Sequence, residues 1–390
     1  MSAPGRSQAL IPERFEREGS PVTAICYING KFSAQPTTGV QRVAARLLQA
    51  LDARAGSPHG LPGRWVLLCP PAGQPPALRH IECRVVGRRA GSLHLWEQLR
   101  LPLAARDGCL LNLAGSAPFA ARRQVCMIHD AAVFDHSEAY SPAFVCWYRL
   151  LFSHLARQGH TLLTVSAFSQ ARLAAALGVA AARLAVVPSG ADHLQGVTAD
   201  EAVLQRLGLQ GQRFFLAVAS ANPTKNLALL VAAFAELPAA AVPSAAPRLV
   251  IVGGSNSRVF SGAPAPADPP GVLRTGPLDD APLKALYQHA QALVFPSIYE
   301  GFGLPPLEAM ACGCAVVASN AAAIPEVCGN AAFYVDPLDR AALTAAMQRM
   351  LEDPALVQRL RQEGPVHAAR YTWAASAERL LASMLAGCPA

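Results

Sequence analysis

Phe295-Pro-Ser-Ile-Tyr-Glu-Gly-Phe-Gly-Leu-Pro-Pro-Leu-Glu308 is the stretch on which the reading of this sequence turns. It sets two carboxylates, Glu300 and Glu308, eight residues apart around two glycines and two prolines. A continuous helix would separate them by roughly 12 Å along its axis. Gly301 and Gly303 favour a tight loop instead, and Pro305 or Pro306 suits the first position of a helix. Glu300 is therefore expected on a loop after a strand over 292–295, and Glu308 in the first turn of the next helix. Carboxylates on separate elements can face one ligand. Their acceptor oxygens fit the paired hydroxyls of a ribose or hexose, and the free N–H groups of a helix start fit a phosphate. Diol, diphosphate and diol together describe a sugar nucleotide. An isolated pair at this spacing would mean little, since Glu308 could complement its helix dipole and Glu300 be a solvated loop residue. The glycines, the prolines and the preceding strand give the pair its weight.

Outward from this stretch, short apolar runs alternate with helical patterns. Strands are expected over 22–28, 65–69, 82–86, 109–113, 125–128, 162–165 and 184–187. Helices are expected over 40–51, 93–105, 142–156 and 167–177. A second series places strands at 214–218, 249–252, 272–274, 292–295, 315–318 and 332–335. Its helices fall at 227–237, 281–289, 305–310, 340–351 and 355–371. Such alternation predicts an α/β protein with parallel sheets covered by helices. We divide the chain into domains over 1–205 and 206–372, with a C-terminal helix in 373–390 expected to pack back on the first domain. Ligands of such sheets bind beyond the carboxyl ends of the strands, here in the cleft between the domains. The stretches 238–247 and 261–271 read as surface loops because proline removes backbone donors.

The 390 residues suffice for two cores, and 52% hydrophobic composition excludes disorder as the dominant state. The polar opening, 1–20, argues against a signal peptide, and the uncharged run 309–325 reads as helix, turn and strand. A soluble cytoplasmic protein is expected. The net charge of +7 is unevenly placed. Residues 1–205 carry 20 Lys+Arg against 13 Asp+Glu, whereas 206–390 carry 13 against 13. A basic first half suits an anionic partner, foremost a membrane surface on the inner face of the cytoplasmic membrane or a lipid-linked diphosphate. Arginines that merely solvate a face explain it equally. Nucleic acid is disfavoured, because no basic stretch is interleaved with aromatics. The ten cysteines are scattered, and the only pair close in sequence is Cys312 and Cys314. No second ligand pair follows, so no metal site is expected.

The run Ser297-Ile-Tyr-Glu-Gly-Phe-Gly-Leu-Pro-Pro-Leu-Glu-Ala-Met-Ala-Cys-Gly313, with Ala322-Ala-Ile-Pro-Glu-Val-Cys-Gly-Asn-Ala-Ala-Phe-Tyr-Val-Asp-Pro337, resembles the donor-binding region of retaining family 4 glycosyltransferases. Asn222-Pro-Thr-Lys-Asn226 resembles that family's phosphate-lysine segment, and Thr38-Gly-Val-Gln-Arg42 the glycine loop and first helix of its acceptor domain. Leu95-Trp-Glu-Gln-Leu99, His129-Asp130, Val165-Ser-Ala-Phe-Ser169 and Val187-Pro-Ser-Gly190 also match, so the resemblance spans most of the chain. It implies the GT-B architecture: two Rossmann-like domains facing each other across a cleft.

Carried across residue by residue, Glu308 would hold the ribose hydroxyls and Glu300 would contact the donor sugar. Gly301, Phe302, Gly303 and Leu304 would line sugar and phosphate. Lys225 would bind the diphosphate and stabilise the departing nucleotide. Gly39 would let the first-domain loop approach the phosphate, and His129 would lie near the reacting carbon, unless it is a satisfied histidine closing a strand. Leu278 lies where the family's backbone reads the base. The implied reaction is retaining and metal-independent, with no cofactor. It would move a hexose, mannose foremost, from a GDP- or UDP-sugar to a glycan or lipid-linked acceptor in bacterial surface polysaccharide or lipopolysaccharide synthesis. The absence of an Asp-x-Asp element, with only Asp279-Asp280 present, fits that expectation. One departure stands out. Thr224 occupies the place of an arginine common beside the lysine, and Ala219 and Ser220 stand where an upstream basic residue is usual. Phosphate neutralisation would then need an arginine from elsewhere. Glu326 reads as a cap of the segment it opens. Two rival readings share the fold: a nucleotide-sugar epimerase and a non-catalytic sugar-nucleotide-binding protein. A dehydrogenase is excluded for want of a Gly-x-Gly-x-x-Gly after the first strand.

Overall fold

The computed structural model describes residues 25–88, 91–220, 222–237, 246–253 and 268–387. Most of the two proline-rich stretches lies outside these residues. The first sheet contains β1 (Ile25–Asn29), β2 (Arg64–Cys69), β3 (Glu82–Val85), β4 (Cys109–Asn112), β5 (Gln124–Met127), β6 (Thr161–Thr164) and β7 (Leu184–Val186). Its order is β3-β2-β1-β4-β5-β6-β7, with every pair parallel. The second contains β8 (Phe214–Val218), β9 (Arg248–Val252), β10 (Val272–Gly276), β11 (Ala292–Phe295), β12 (Val316–Ser319) and β13 (Phe333–Val335). Its order is β10-β9-β8-β11-β12-β13, again all parallel. Central strands such as Phe214-Phe-Leu-Ala-Val218 are apolar at successive positions because helices cover both faces of a parallel sheet.

The main helices are α1 (Gly39–Ala55), α2 (Pro142–Arg157), α3 (Ala167–Leu177), α4 (Leu227–Ala235), α5 (Asp280–His289), α6 (Leu304–Ala311), α7 (Arg340–Glu352), α8 (Pro354–Ala368) and α9 (Trp373–Gly387). The expected helix over 93–105 is present but interrupted. A π-turn at Trp96–Arg100 joins α-helical Leu93–Leu95 to Leu101–Ala104. That turn carries Glu97 into the core, where it meets Lys31 with Nζ 2.7 Å from Oε2. Ser116, Asn29 and Asn112 complete the network: Ser116 Oγ donates to Glu97 (2.7 Å), and Asn29 Nδ2 donates to both Glu97 and Asn112. Hydrogen bonding of this completeness is what allows two charges to be buried.

In both sheets the strand order reverses, between β1 and β4 and between β8 and β11. The carboxyl ends of these strands are the switch points where ligands bind doubly wound sheets. One apolar cluster joins the two halves, running from Leu47 and Val187 through Phe214 and Phe302 to Trp373 and Leu380. α9 returns to the first sheet and packs on α1 and beside β6. Among the described residues, no helix is long and apolar enough to cross a membrane.

Candidate functional site

Lys225 and Glu300 come from the carboxyl ends of the two switch-point strands of the second sheet. β8 leads into the short turn Pro223–Lys225, which Asn222 opens by accepting from Thr224 N at 3.0 Å. β11 leads through Pro296 to Glu300. Asn226, left-handed at φ 58°, joins the two by donating its amide to Pro296 O (3.3 Å) and Pro337 O (2.6 Å). Lys225 Nζ then lies 2.5 Å from Glu300 Oε1 and 5.6 Å above the Phe295 ring.

The loop after Glu300 meets the first domain. A Cβ at Gly301 would lie 2.4 Å from His129 O, so only glycine permits this approach. Gly301 O accepts from Ser166 Oγ (2.6 Å) and Ser169 Oγ (3.1 Å) of the α3 start. Gly301 is thus a point of contact between domains. Phe302 and Leu304 turn their side chains into the shared core. Gly303 supplies the left-handed residue, φ 97°, that opens α6. Two details differ from expectation. Leu304, not a proline, takes the first helical position, and Pro305 follows it. Glu308 therefore falls in the second turn, since the loop closes one residue earlier than the prolines suggested. Glu326 does not cap its own segment either. Its carboxylate accepts from Ala167 N (2.8 Å) and Phe168 N (2.9 Å), capping α3 of the opposite domain.

His129 sits at the end of β5 with Nε2 2.9 Å from Leu113 O. A carbonyl only accepts, so Nε2 carries the proton and Nδ1 holds the lone pair. Burial lowers its pKa to about 4. Beside it, burial raises the pKa of Asp130, and the nearby Glu300 charge adds to the rise. Lys225, Glu300, His129 and Asp130 thus gather where the two domains touch.

Glu308 belongs to a second cluster. Its side chain is 3% exposed. Tyr287 OH donates to Oε2 at 3.0 Å, His193 Nε2 stands 3.2 Å from Oε1, and Arg42 Nη1 lies 3.8 Å from the same oxygen. Arg42 and Arg46, both on α1, pair with Asp280 at the start of α5 and span the cleft. Burial pulls the Arg42 pKa down, but the charges of Glu308 and Asp280 more than offset it. Leu278 is half-buried just before this cluster. Gly39 opens α1, and a Cβ there would meet nothing within 4 Å. Among the described residues, Glu300 and Glu308 share no hydrogen-bond or ion-pair partner. Arg42, Asp130 and Asp280 lay inside segments the sequence had singled out, whereas His193 and Tyr287 carried no spacing signal.

The cysteines pair differently in space: Cys69 Sγ lies 3.5 Å from Cys83 Sγ on adjacent strands, although 14 residues separate them. Among the described residues no three His, Cys, Asp or Glu side chains gather as metal ligands.

A family model described as glycosyl transferases group 1 matches residues 200–367. The O-antigen chain mannosyltransferase B of Escherichia coli is 30% identical over 260 residues, covering 66% of this chain and 68% of that protein. This chain belongs to the group 1 glycosyl transferases. Another relative of this transferase, the serotype-specific mannosyltransferase WbdA of Escherichia coli, is 33% identical over 176 residues. That match covers 42% of this chain but only 20% of WbdA. Among solved structures, the sucrose-phosphate synthase of Thermosynechococcus elongatus aligns with a TM-score of 0.68 at 22% identity, covering 92% of this chain and 97% of that one. Anabaena HepE, solved with UDP and glucose, aligns at 0.69 and 17% identity, covering 93% and 100%. The fold of this transferase is thus GT-B.

Proposed function

We propose that this transferase moves mannose from GDP-mannose to a glycan or lipid-linked acceptor, with retention and without a metal, in the manner of family 4. The observation that carries the reading is the meeting of Lys225 and Glu300 at the second switch point, 2.5 Å apart. Mannosyltransferase relatives support the choice of sugar. The donor diphosphate would draw Lys225 away from Glu300, leaving that carboxylate free for the sugar hydroxyls. Glu308 would hold the ribose once Arg42 shifts from over it. Arg42 then becomes the arginine that Thr224 does not supply, facing the phosphates from the first domain. In the transfer step the bond from the anomeric carbon to the phosphate oxygen breaks, and a bond to the acceptor oxygen forms on the same face. The acceptor proton passes to the departing phosphate. Lys225 offsets the charge growing there. His129, neutral at physiological pH, offers a lone pair at Nδ1 and takes no part as a cation. A thermal-shift panel of GDP-, UDP-, ADP- and dTDP-sugars tests the donor, because a specific ligand raises the melting temperature through linkage. GDP-mannose is expected to give the largest shift, and a larger shift from UDP-glucose would overturn that choice.

The expected membrane contact has a candidate face. Leu95, Leu99 and Leu103 are 61%, 60% and 69% exposed along one side of the interrupted helix. Arg100 and Arg106 are exposed beside them, and the only carboxylate of residues 93–106, Glu97, is buried. Exposed leucines flanked by arginines suit an anionic bilayer surface. Flotation with phosphatidylglycerol vesicles should recover the wild type and lose Leu99→Glu/Leu103→Glu. Equal recovery of both would dismiss this face.

A further inference from the structure

The chain crosses between the two sheets twice, and the crossings are bonded to each other. The outward crossing follows β7 as Pro188-Ser-Gly-Ala-Asp-His193, and the return runs through Tyr371-Thr-Trp373 into α9. Ala191 N donates to Tyr371 O (3.0 Å), Trp373 N to Asp192 Oδ1 (2.9 Å) and Ser376 Oγ to Pro188 O (2.5 Å).

His193 ends this joint, with its side chain 2% exposed. Trp373 Nε1 donates to its Nδ1 at 3.2 Å. An indole N–H can only donate, so Nδ1 holds the lone pair and the neutral ring carries its proton on Nε2. That Nε2 lies 3.2 Å from Glu308 Oε1 but off the line of a hydrogen bond, and both atoms are buried without an aligned partner. Two buried polar atoms facing each other without an aligned bond are unusual in a folded protein and call for an explanation. Tyr287 already donates to the other oxygen. Burial and the adjacent Glu308 raise the Tyr287 pKa far above its ordinary value, so it stays a donor.

We propose that His193 is a positioning residue for nucleotide recognition. It acts through Glu308 and ties the grip on the ribose to the joint between the domains. The proposal rests on the reading of Glu308 as the ribose carboxylate. When the nucleotide enters and Arg42 moves aside, Nε2–H turns onto Oε1. Each carboxylate oxygen accepts about two hydrogen bonds. Tyr287 and His193 occupy one site on each, leaving one site per oxygen, and Arg42 from across the cleft lies 3.8 Å from Oε1. Two vicinal hydroxyls, the 2′ and 3′ groups of a ribose, match that pair. Trp373 fixes the tautomer, so the grip is correct only while the return crossing is seated.

The test compares affinity by calorimetry for GDP and 2′,3′-dideoxy-GDP, with UDP and its dideoxy analogue as a parallel pair. Wild type should prefer the ribonucleotide by about tenfold or more, the scale of hydrogen bonds to a charged group. His193→Ala should cut that preference to about threefold or less while leaving the dideoxy affinity unchanged. His193→Gln, whose amide nitrogen can reach the same place, should restore most of it. A preference that persists in both variants but vanishes in Glu308→Ala overturns the proposal and leaves the ribose reading standing. If both variants lose ribo and dideoxy affinity together, His193 is merely structural and the proposal falls. Absence of any preference in the wild type overturns the ribose reading itself.

Discussion

Lys225 and Glu300, 75 residues apart in the chain, meet as an ion pair with Nζ 2.5 Å from Oε1 at the carboxyl ends of β8 and β11. In the proposed function, Lys225 takes the diphosphate and Glu300 the sugar. Lys225→Ala should therefore lower kcat by roughly 10²–10³-fold, the scale for loss of one charge-stabilising donor. Glu300→Gln should do likewise. Both side chains are largely buried, 20% and 12% exposed, so each change should also cost about 1.5–3 kcal/mol of stability. Steady-state kinetics beside a melting curve separates these effects, and an unchanged kcat in Lys225→Ala would remove the lysine from the mechanism.

His129 should remain neutral throughout the physiological range. Its folded pKa of about 4 lies below the unfolded value of about 6.5. Between those values the unfolded chain binds more protons than the folded one, so stability is lost as pH falls from about 6.5 towards 4. Histidine ring NMR should show no protonation of His129 above pH 5. A titration near 6.5 would contradict the burial of the His129 ring, which is what lowers its pKa.

Asp52 supplies a pH dependence of its own. Burial raises its pKa, but backbone N–H bonds from Arg79, Ile81 and His80 outweigh that, and the net shift is downward. A carboxylate depressed in the folded state stabilises above its unfolded pKa and loses that contribution as pH falls through the folded one. Asp52→Ala should cost roughly 2–3 kcal/mol at pH 7, with buried donors left unpaired. The deficit should shrink below about pH 4. Denaturant unfolding at pH 7 and pH 3 would reveal it, and an equal deficit at both would contradict it.

Glu97 and Lys31 should be jointly indispensable to the first domain. Removing one charge strands the other in the core, so Glu97→Ala should destabilise by about 3–5 kcal/mol. Urea unfolding measures this directly. A change below 1 kcal/mol would show that the pair is not buried as described.

Most of the fold was legible because it rests on local pattern. Runs such as Phe214–Val218 and Ala292–Phe295 are apolar throughout, and their alternation with helices leaves few arrangements other than parallel sheets. The π-turn at Trp96–Arg100 was not legible, since it exists to bring Glu97 to Lys31 across 66 residues. The candidate site divides in the same way. Glu300 announces itself through glycine, proline and a strand end, and Lys225 through the resemblance of Asn222–Asn226 to the family's phosphate-lysine segment. The role of Glu326 was misread because its partners, Ala167 and Phe168, lie in the other domain. His193 was missed because its neighbours, Trp373 and Glu308, come from distant segments.

The most direct measurement is mass spectrometry of both products after incubation with GDP-mannose, EDTA and a bacterial glycolipid acceptor fraction. The proposed function predicts that the acceptor gains one hexose and GDP is released with the wild type, and that Lys225→Ala does neither. A rearranged sugar nucleotide with an unmodified acceptor, or hexose gain undiminished in Lys225→Ala, would contradict it.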